Sequence, residues 1–103
     1  MVVTRRLVGP DTILARESEP ASIRIQQDIV LLSIRAGSYF RLNSVGAQIW
    51  DMLTVPRHVD EILAGLSQSY NADTGILSRD VMDFLEVLLK RQLVRVVKPA
   101  EVR

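Results

Sequence analysis

The chain has 103 residues, enough for one domain with its own core. Hydrophobic residues make up 48%, which argues against wholesale disorder, and the absence of cysteine excludes disulfides, thiolate metal sites and a cysteine nucleophile. With 13 Lys and Arg against 12 Asp and Glu, the net charge is +1, and no strong field steers the chain toward nucleic acid or acidic membranes.

Residues 1–21 carry two turn signals, one at Gly9, Pro10 and Asp11 and one between Glu17 and Pro20. Between them, residues 12–16 can form a short strand or an ordered arm, and both readings stand. The beginning of the chain lacks the sustained apolar stretch of a signal peptide. The longest apolar run, residues 29–32, is far too short to span a bilayer. A cytoplasmic protein with no membrane partner is the expectation. Arg5 and Arg6 at one end, and Arg95, Lys98 and Arg103 at the other, read as solvated tails.

From Ser22 the pattern becomes that of strands. Ile23, Arg24 and Ile25 alternate, and residues 29–34 form a β-rich run broken only by Ser33. Gln26, Gln27 and Asp28 read as the hairpin turn between them. Ala36, Gly37 and Ser38 make a second turn, because Gly37 can adopt the positive φ that tight connections demand. Residues 39–42 alternate again, with Tyr39 and Arg41 on one face and Phe40 and Leu42 on the other, the inward one. The result is a three-stranded antiparallel meander.

Helices follow. Asn43 and Ser44 offer capping oxygens to a first turn, and Val45, Ile49 and Leu53 then recur at helical spacing, with Trp50 and Met52 beside them. Pro56 closes that segment. A second helix is predicted from about Val59 to Tyr70, with His58 and Glu61 at capping-box spacing, although histidine is an unusual first member. Asp73 is placed to cap a third helix. There Leu77, Val81, Phe84, Leu85 and Leu88 form one continuous stripe. Residues 93–97 can return as a short strand. The chain thus divides into an arm over 1–21, a domain over 22–97 and a polar tail over 98–103.

Catalytic chemistry finds no foothold. His58 is the sole histidine, and with Asp60 and Glu61 it makes a weak metal set, since neighbouring positions on a helix diverge. Asp80 and Asp83 read as a solvated face. No phosphate-cradling loop or dinucleotide fingerprint is present. The expectation is a non-enzyme with no cofactor and no metal.

The stretch 39–50, containing Leu42, Asn43, Gly46 and Trp50, is followed by residues 59–62 and 80–88 and closed by Leu93 and Val94. In order and spacing this resembles the PqqD-like recognition elements for ribosomally synthesised, post-translationally modified peptides, most of all the small free-standing leader-binding proteins of lasso-peptide biosynthesis. The resemblance covers about residues 22–97. It implies an α+β, winged-helix-like fold, a three-stranded antiparallel sheet followed by three helices with a short C-terminal strand.

It also implies a function. A precursor's leader segment would add as a strand antiparallel to the third strand and against the third helix. The residues so implicated are Ser38, Tyr39, Phe40, Arg41, Leu42 and Asn43 on the edge, with Asp80, Phe84, Val87, Leu88 and Arg91 on the helix. Arg41, Lys90 and Arg91 are placed to meet acidic leader residues. Generic readings stand beside these: Phe84 and Leu88 lie on the core stripe, Tyr39 can cover the outer sheet face, and Asp80 can offset Arg79. The implied partners are the leader peptide, a leader-cleaving cysteine protease and a lasso cyclase. Two other classes remain, a winged-helix DNA-binding protein and a scaffold that dimerises through the same edge. Against DNA, Arg79, Lys90 and Arg91 are offset on the third helix by Asp80, Asp83 and Glu86.

Overall fold

The computed structural model describes residues 7–70 and 74–99. Asp73, Arg5, Arg6 and Arg103 lie outside the described residues. The elements in chain order are β1 (Ile13–Arg16), β2 (Ala21–Ile25), β3 (Asp28–Ser33), β4 (Ser38–Leu42), α1 (Ser44–Met52), β5 (Arg57–His58), α2 (Val59–Ser69), α3 (Thr74–Lys90) and β6 (Val94–Val97). They build an α+β, winged-helix-like fold with two antiparallel sheets, ordered β2-β3-β4 and β5-β1-β6.

The meander forms as its alternation predicts. Ile29 pairs with Leu42 and Leu31 with Phe40, which puts these four side chains on the inner face. Ile29, Leu31 and Leu42 are buried there, with Phe40 partly buried at the margin. The hairpin turn places Gln26 at φ 56°, and the second turn places Gly37 at φ 66°. One residue departs from the sequence pattern. Ile34 continues the apolar run but is 90% exposed, because β3 ends at Ser33. The turn after it is closed by Gly37 N–H donating to the Ile34 carbonyl, and the buried Ser33 Oγ accepts from Ala36 N–H. Glu19 seals the same corner by accepting from Arg35 N–H at 2.7 Å and from the Ser33 hydroxyl.

α1 and α2 start where their caps stand. The Asn43 Oδ1 accepts from Gly46 N–H at 3.0 Å and opens α1 directly after β4. Glu61 accepts from His58 N–H at 2.9 Å, so the acidic member of the capping pair restrains the start of α2. Ile49 and Trp50 of α1, Val59, Ile62 and Leu66 of α2, and Val81, Leu85 and Leu88 of α3 close one core with Ile29, Leu31 and Leu42.

Of the two readings open for residues 12–16, the strand is the one that forms. β1 pairs along its whole length with β6 and over Ile13 and Leu14 with β5. Leu14 is fully buried in the main core, while Ile13 and Ala15 pack with Val97 on the other face. Upstream, Val8 is buried and its N–H donates to the largely buried Glu86 carboxylate of α3 at 2.8 Å. Arg16 then ties this sheet to α1. Its guanidinium lies 4.6 Å from the Trp50 ring centroid and donates to the Trp50 carbonyl, a contact of about 0.5–2 kcal/mol. Arg24 of β2 reaches Asp51 on the same helix at 2.7 Å to each carboxylate oxygen.

Two measurements check this arrangement. Leu14→Ala removes a fully buried side chain and is expected to cost about 2–5 kcal/mol in urea unfolding. The hydrogen bonds from Arg35 N–H hold the Glu19 carboxyl below its ordinary value of 4.5. Its stabilising contribution is therefore present above that value and is lost as pH falls through the lower, folded one. Glu19→Gln is expected to flatten the acid limb of a pH-dependent thermal-melting series below pH 4.5 and leave the neutral limb parallel to the parent.

Candidate functional site

β4 is the last strand of its sheet, and among the described residues no strand lies along its outer side. Such a border carries backbone N–H and C=O groups that an extended chain can satisfy in register. The segment best placed by sequence to cover it is committed elsewhere, with β1 held between β5 and β6. Val8 meets α3 at Glu86, and positions two apart on a helix diverge by about 200°, so this contact lies on the flank away from Phe84.

Beside the border runs a groove of about 470 Å³. Arg41 and Asn43 at the end of β4, with Val45, Gly46 and Ile49 of α1, form one wall. Leu77, Asp80, Val81 and Phe84 of α3 form the other. The groove exists because α1 starts immediately after β4 and crosses close under α3. A Cβ at Gly46 would sit 3.1 Å from the Phe84 ring and 3.3 Å from Leu42 Cβ, so a larger residue there would push the walls apart. Beyond the lining of the groove, past Phe84, the Arg91 guanidinium carbon lies 6.0 Å from the Phe40 ring centroid. Val87 lies one turn before Arg91 and is 50% exposed.

The sequence-predicted residues fall into distinct places. Arg41, Asn43, Asp80 and Phe84 line the groove itself. Phe40 and Arg91 meet each other outside that lining, and Val87 is half-exposed on α3, one turn beyond Phe84. Ser38 and Tyr39 are exposed on β4, with the Tyr39 side chain on the outer sheet face. Leu42 and Leu88 turn into the core, 5% and 2% exposed. Leu42 thus offers a partner its backbone, and Leu88 supports the wall from behind. Arg41 is tied to Asp28 at 2.9 Å, so its charge is already partly engaged.

By sequence, Val45, Gly46, Ile49, Leu77 and Val81 read as helix or junction residues and not as site residues. They belong to the same apolar stripes as the core, and helical periodicity does not distinguish a residue that ends a core from one that floors a groove. The opposite border of the sheet, β2, offers no comparable wall. All five of its residues are exposed, and the depression beside it is lined mainly by polar side chains, Arg24, Gln26, Gln27, Gln48 and Asp51 among them. Among the described residues no group of three or more His, Cys, Asp or Glu is placed to hold a metal ion, and no helix is long and apolar enough to cross a membrane.

An open strand border beside an apolar groove, on a winged-helix-like scaffold, fits the class of PqqD-like recognition elements. Residues 28–94 match the family described as coenzyme PQQ synthesis protein D (PqqD), and the chain belongs to that family. It is similar to a solved structure, "TbiB1 in Complex with the TbiA(beta) Leader Peptide", with a TM-score of 0.72 and 31% identity, covering 79% of this chain and 94% of that one. No curated protein sequence matches the chain.

The cap that sets the groove can be tested alone. Asn43→Ala is expected to lower stability by about 1 kcal/mol in chemical denaturation. Asn43→Asp should stay near the parent, because a carboxylate can accept the same Gly46 N–H.

Proposed function

We propose that this chain binds the leader segment of a ribosomally made precursor peptide by strand addition to β4. The observation that carries this reading is the unpaired border of β4 lying beside a preformed, largely apolar groove. The likeness to TbiB1, solved with a leader peptide bound, supports it. The leader lies antiparallel to β4, taking main-chain hydrogen bonds from residues 38–43. Side chains pointing toward α3 enter the groove between Val45, Ile49, Leu77 and Phe84, and pass Val87 and Arg91. Main-chain bonds supply affinity that tolerates sequence variation, and the pockets supply selection.

In this reading the chain does no chemistry. It holds the precursor for a leader-cleaving cysteine protease and then a cyclase in lasso-peptide maturation, contributing local concentration and orientation. A dissociation constant from micromolar to tens of nanomolar, about −8 to −11 kcal/mol, suits that work.

The DNA-binding alternative gains little from the structure. The exposed side of α3 presents Ile76 and Val87, and its cations Arg79 and Lys90 are interleaved with Asp80 and Asp83, which makes no net electropositive surface for phosphates. Of the strands, β6 alone follows α3, and it pairs with β1 without forming a two-stranded wing.

The experiment is a titration of the purified protein with fluorescent leader peptide and, separately, with random duplex DNA. Saturable peptide binding without salt-steep DNA binding is expected, and the reverse pattern would overturn the proposal. Val87→Glu puts a charge on the groove's α3 flank at a half-exposed position. It is expected to weaken peptide binding more than about tenfold, that is by over ~1.4 kcal/mol, with an unchanged circular dichroism spectrum. Unaltered affinity would place the leader elsewhere.

A further inference from the structure

We propose, resting on the strand-addition reading above, that the groove selects leaders by the order of their charges: a basic residue on the N-terminal side of the docked strand and an acidic residue on the C-terminal side. Three contacts fix the direction of the groove. Arg91 stands over Phe40, the middle residue of β4. Phe84 lies against Gly46, just past its end. Asp80 and Leu77 face Val45 and Ile49, further along. β4 and α3 therefore run in opposite senses, with Arg91 on the side toward the start of β4 and Asp80 at the end where β4 gives way to α1.

A strand antiparallel to β4 enters at Asp80 and leaves at Arg91. These two residues are 11 positions apart on α3, which at 1.5 Å per residue is about 16 Å. An extended chain rises about 3.3 Å per residue, so the same distance takes roughly five residues. Side chains on the helix-facing side recur every second residue, which sets the two charges about four to six positions apart.

The other charges nearby leave this polarity intact. Arg41, at the Asp80 end, is held by Asp28. Glu86, near the Arg91 end, is buried and accepts from Val8 N–H. Lys90, beside Arg91, adds to the positive end. Arg79 and Asp83, both exposed beside Asp80, carry opposite charges that offset each other. Asp80 and Arg91 are exposed, so their effect is on orientation and encounter more than on depth of binding, and it fades with salt.

The test pans a displayed library of random peptides of about twelve residues, ample for a groove of ~16 Å, against the full chain and against the double variant Asp80→Lys, Arg91→Glu. Binders to the parent are expected to carry Lys or Arg four to six residues before Asp or Glu, and binders to the swapped variant to carry the reverse order. Synthetic peptides of the two orders are expected to differ about fivefold or more in affinity for the parent at low salt. They should converge near 1 M salt, where the screening length is ~3 Å. The neutral variant Asp80→Asn, Arg91→Gln should bind both orders alike. Binders that Val87→Glu abolishes but that show no charge order would overturn this inference and leave the groove in place. Binders indifferent to Val87→Glu, or no binders at all, would overturn the strand-addition reading and this one with it.

Discussion

At Gly46 three elements come within van der Waals reach of one another, and the geometry of the groove follows from that approach. The end of β4, the first turn of α1 and the middle of α3 are separated there by little more than the missing side chain. Asn43 makes the approach sharp. By capping α1 with no intervening loop, it forces the chain from extended to helical within one residue. The strand border is thus delivered beside α3 at a set distance. A looser junction would leave the same border open but with no wall beside it, as at β2.

The second sheet makes that geometry stiff. β1 joins the segments flanking the helices, since β5 precedes α2 and β6 follows α3. Arg16 carries the connection on to α1 through Trp50, and Arg24 reaches the same helix through Asp51. The Arg24–Asp51 ion pair is worth little as an exposed charge contact, about 0–1 kcal/mol, and the Arg16–Trp50 contact only about 0.5–2 kcal/mol. Their effect is to hold α1 from both sheets, so that the groove wall it carries does not drift when an extended chain arrives.

Much of this was legible from residue order. The meander, the three helices, both caps and the apolar stripes follow from alternation, spacing and capping chemistry, because each of these is local. What escaped the sequence is non-local. Val45 and Leu77, which are only partly buried, carry the same periodic signature as the core residues Leu85 or Leu66. Whether such a residue ends in the core or on a groove depends on how two helices cross, which no window of one chain segment encodes. Ile34 shows the converse error. Its side chain fits the apolar run, yet the turn at Gly37 takes it out of the strand. Residues 12–16 were ambiguous for the same reason, since their partners lie about forty and eighty positions away. The charged and polar candidates fared differently from the leucines. Asp80 lines the groove and Arg91 lies over Phe40 outside it, while Leu42 and Leu88 face inward.

An open strand border is a hazard as well as an opportunity, and the most dangerous competitor is the chain itself. A tethered segment some twenty residues upstream is present at an effective concentration on the order of millimolar, far above any separate peptide. If residues 13–16 could pair with β4, they would shut out a foreign strand of similar intrinsic affinity. The fold removes this competitor by using it. Leu14 is buried in the main core, Ile13 and Ala15 are packed on Val97, and the backbone is paired on both sides. Freeing β1 to cover β4 would expose that apolar surface and break both ladders, a cost that pairing at one edge cannot offset. The border of β4 therefore stays available because the nearest alternative strand is more stably occupied elsewhere.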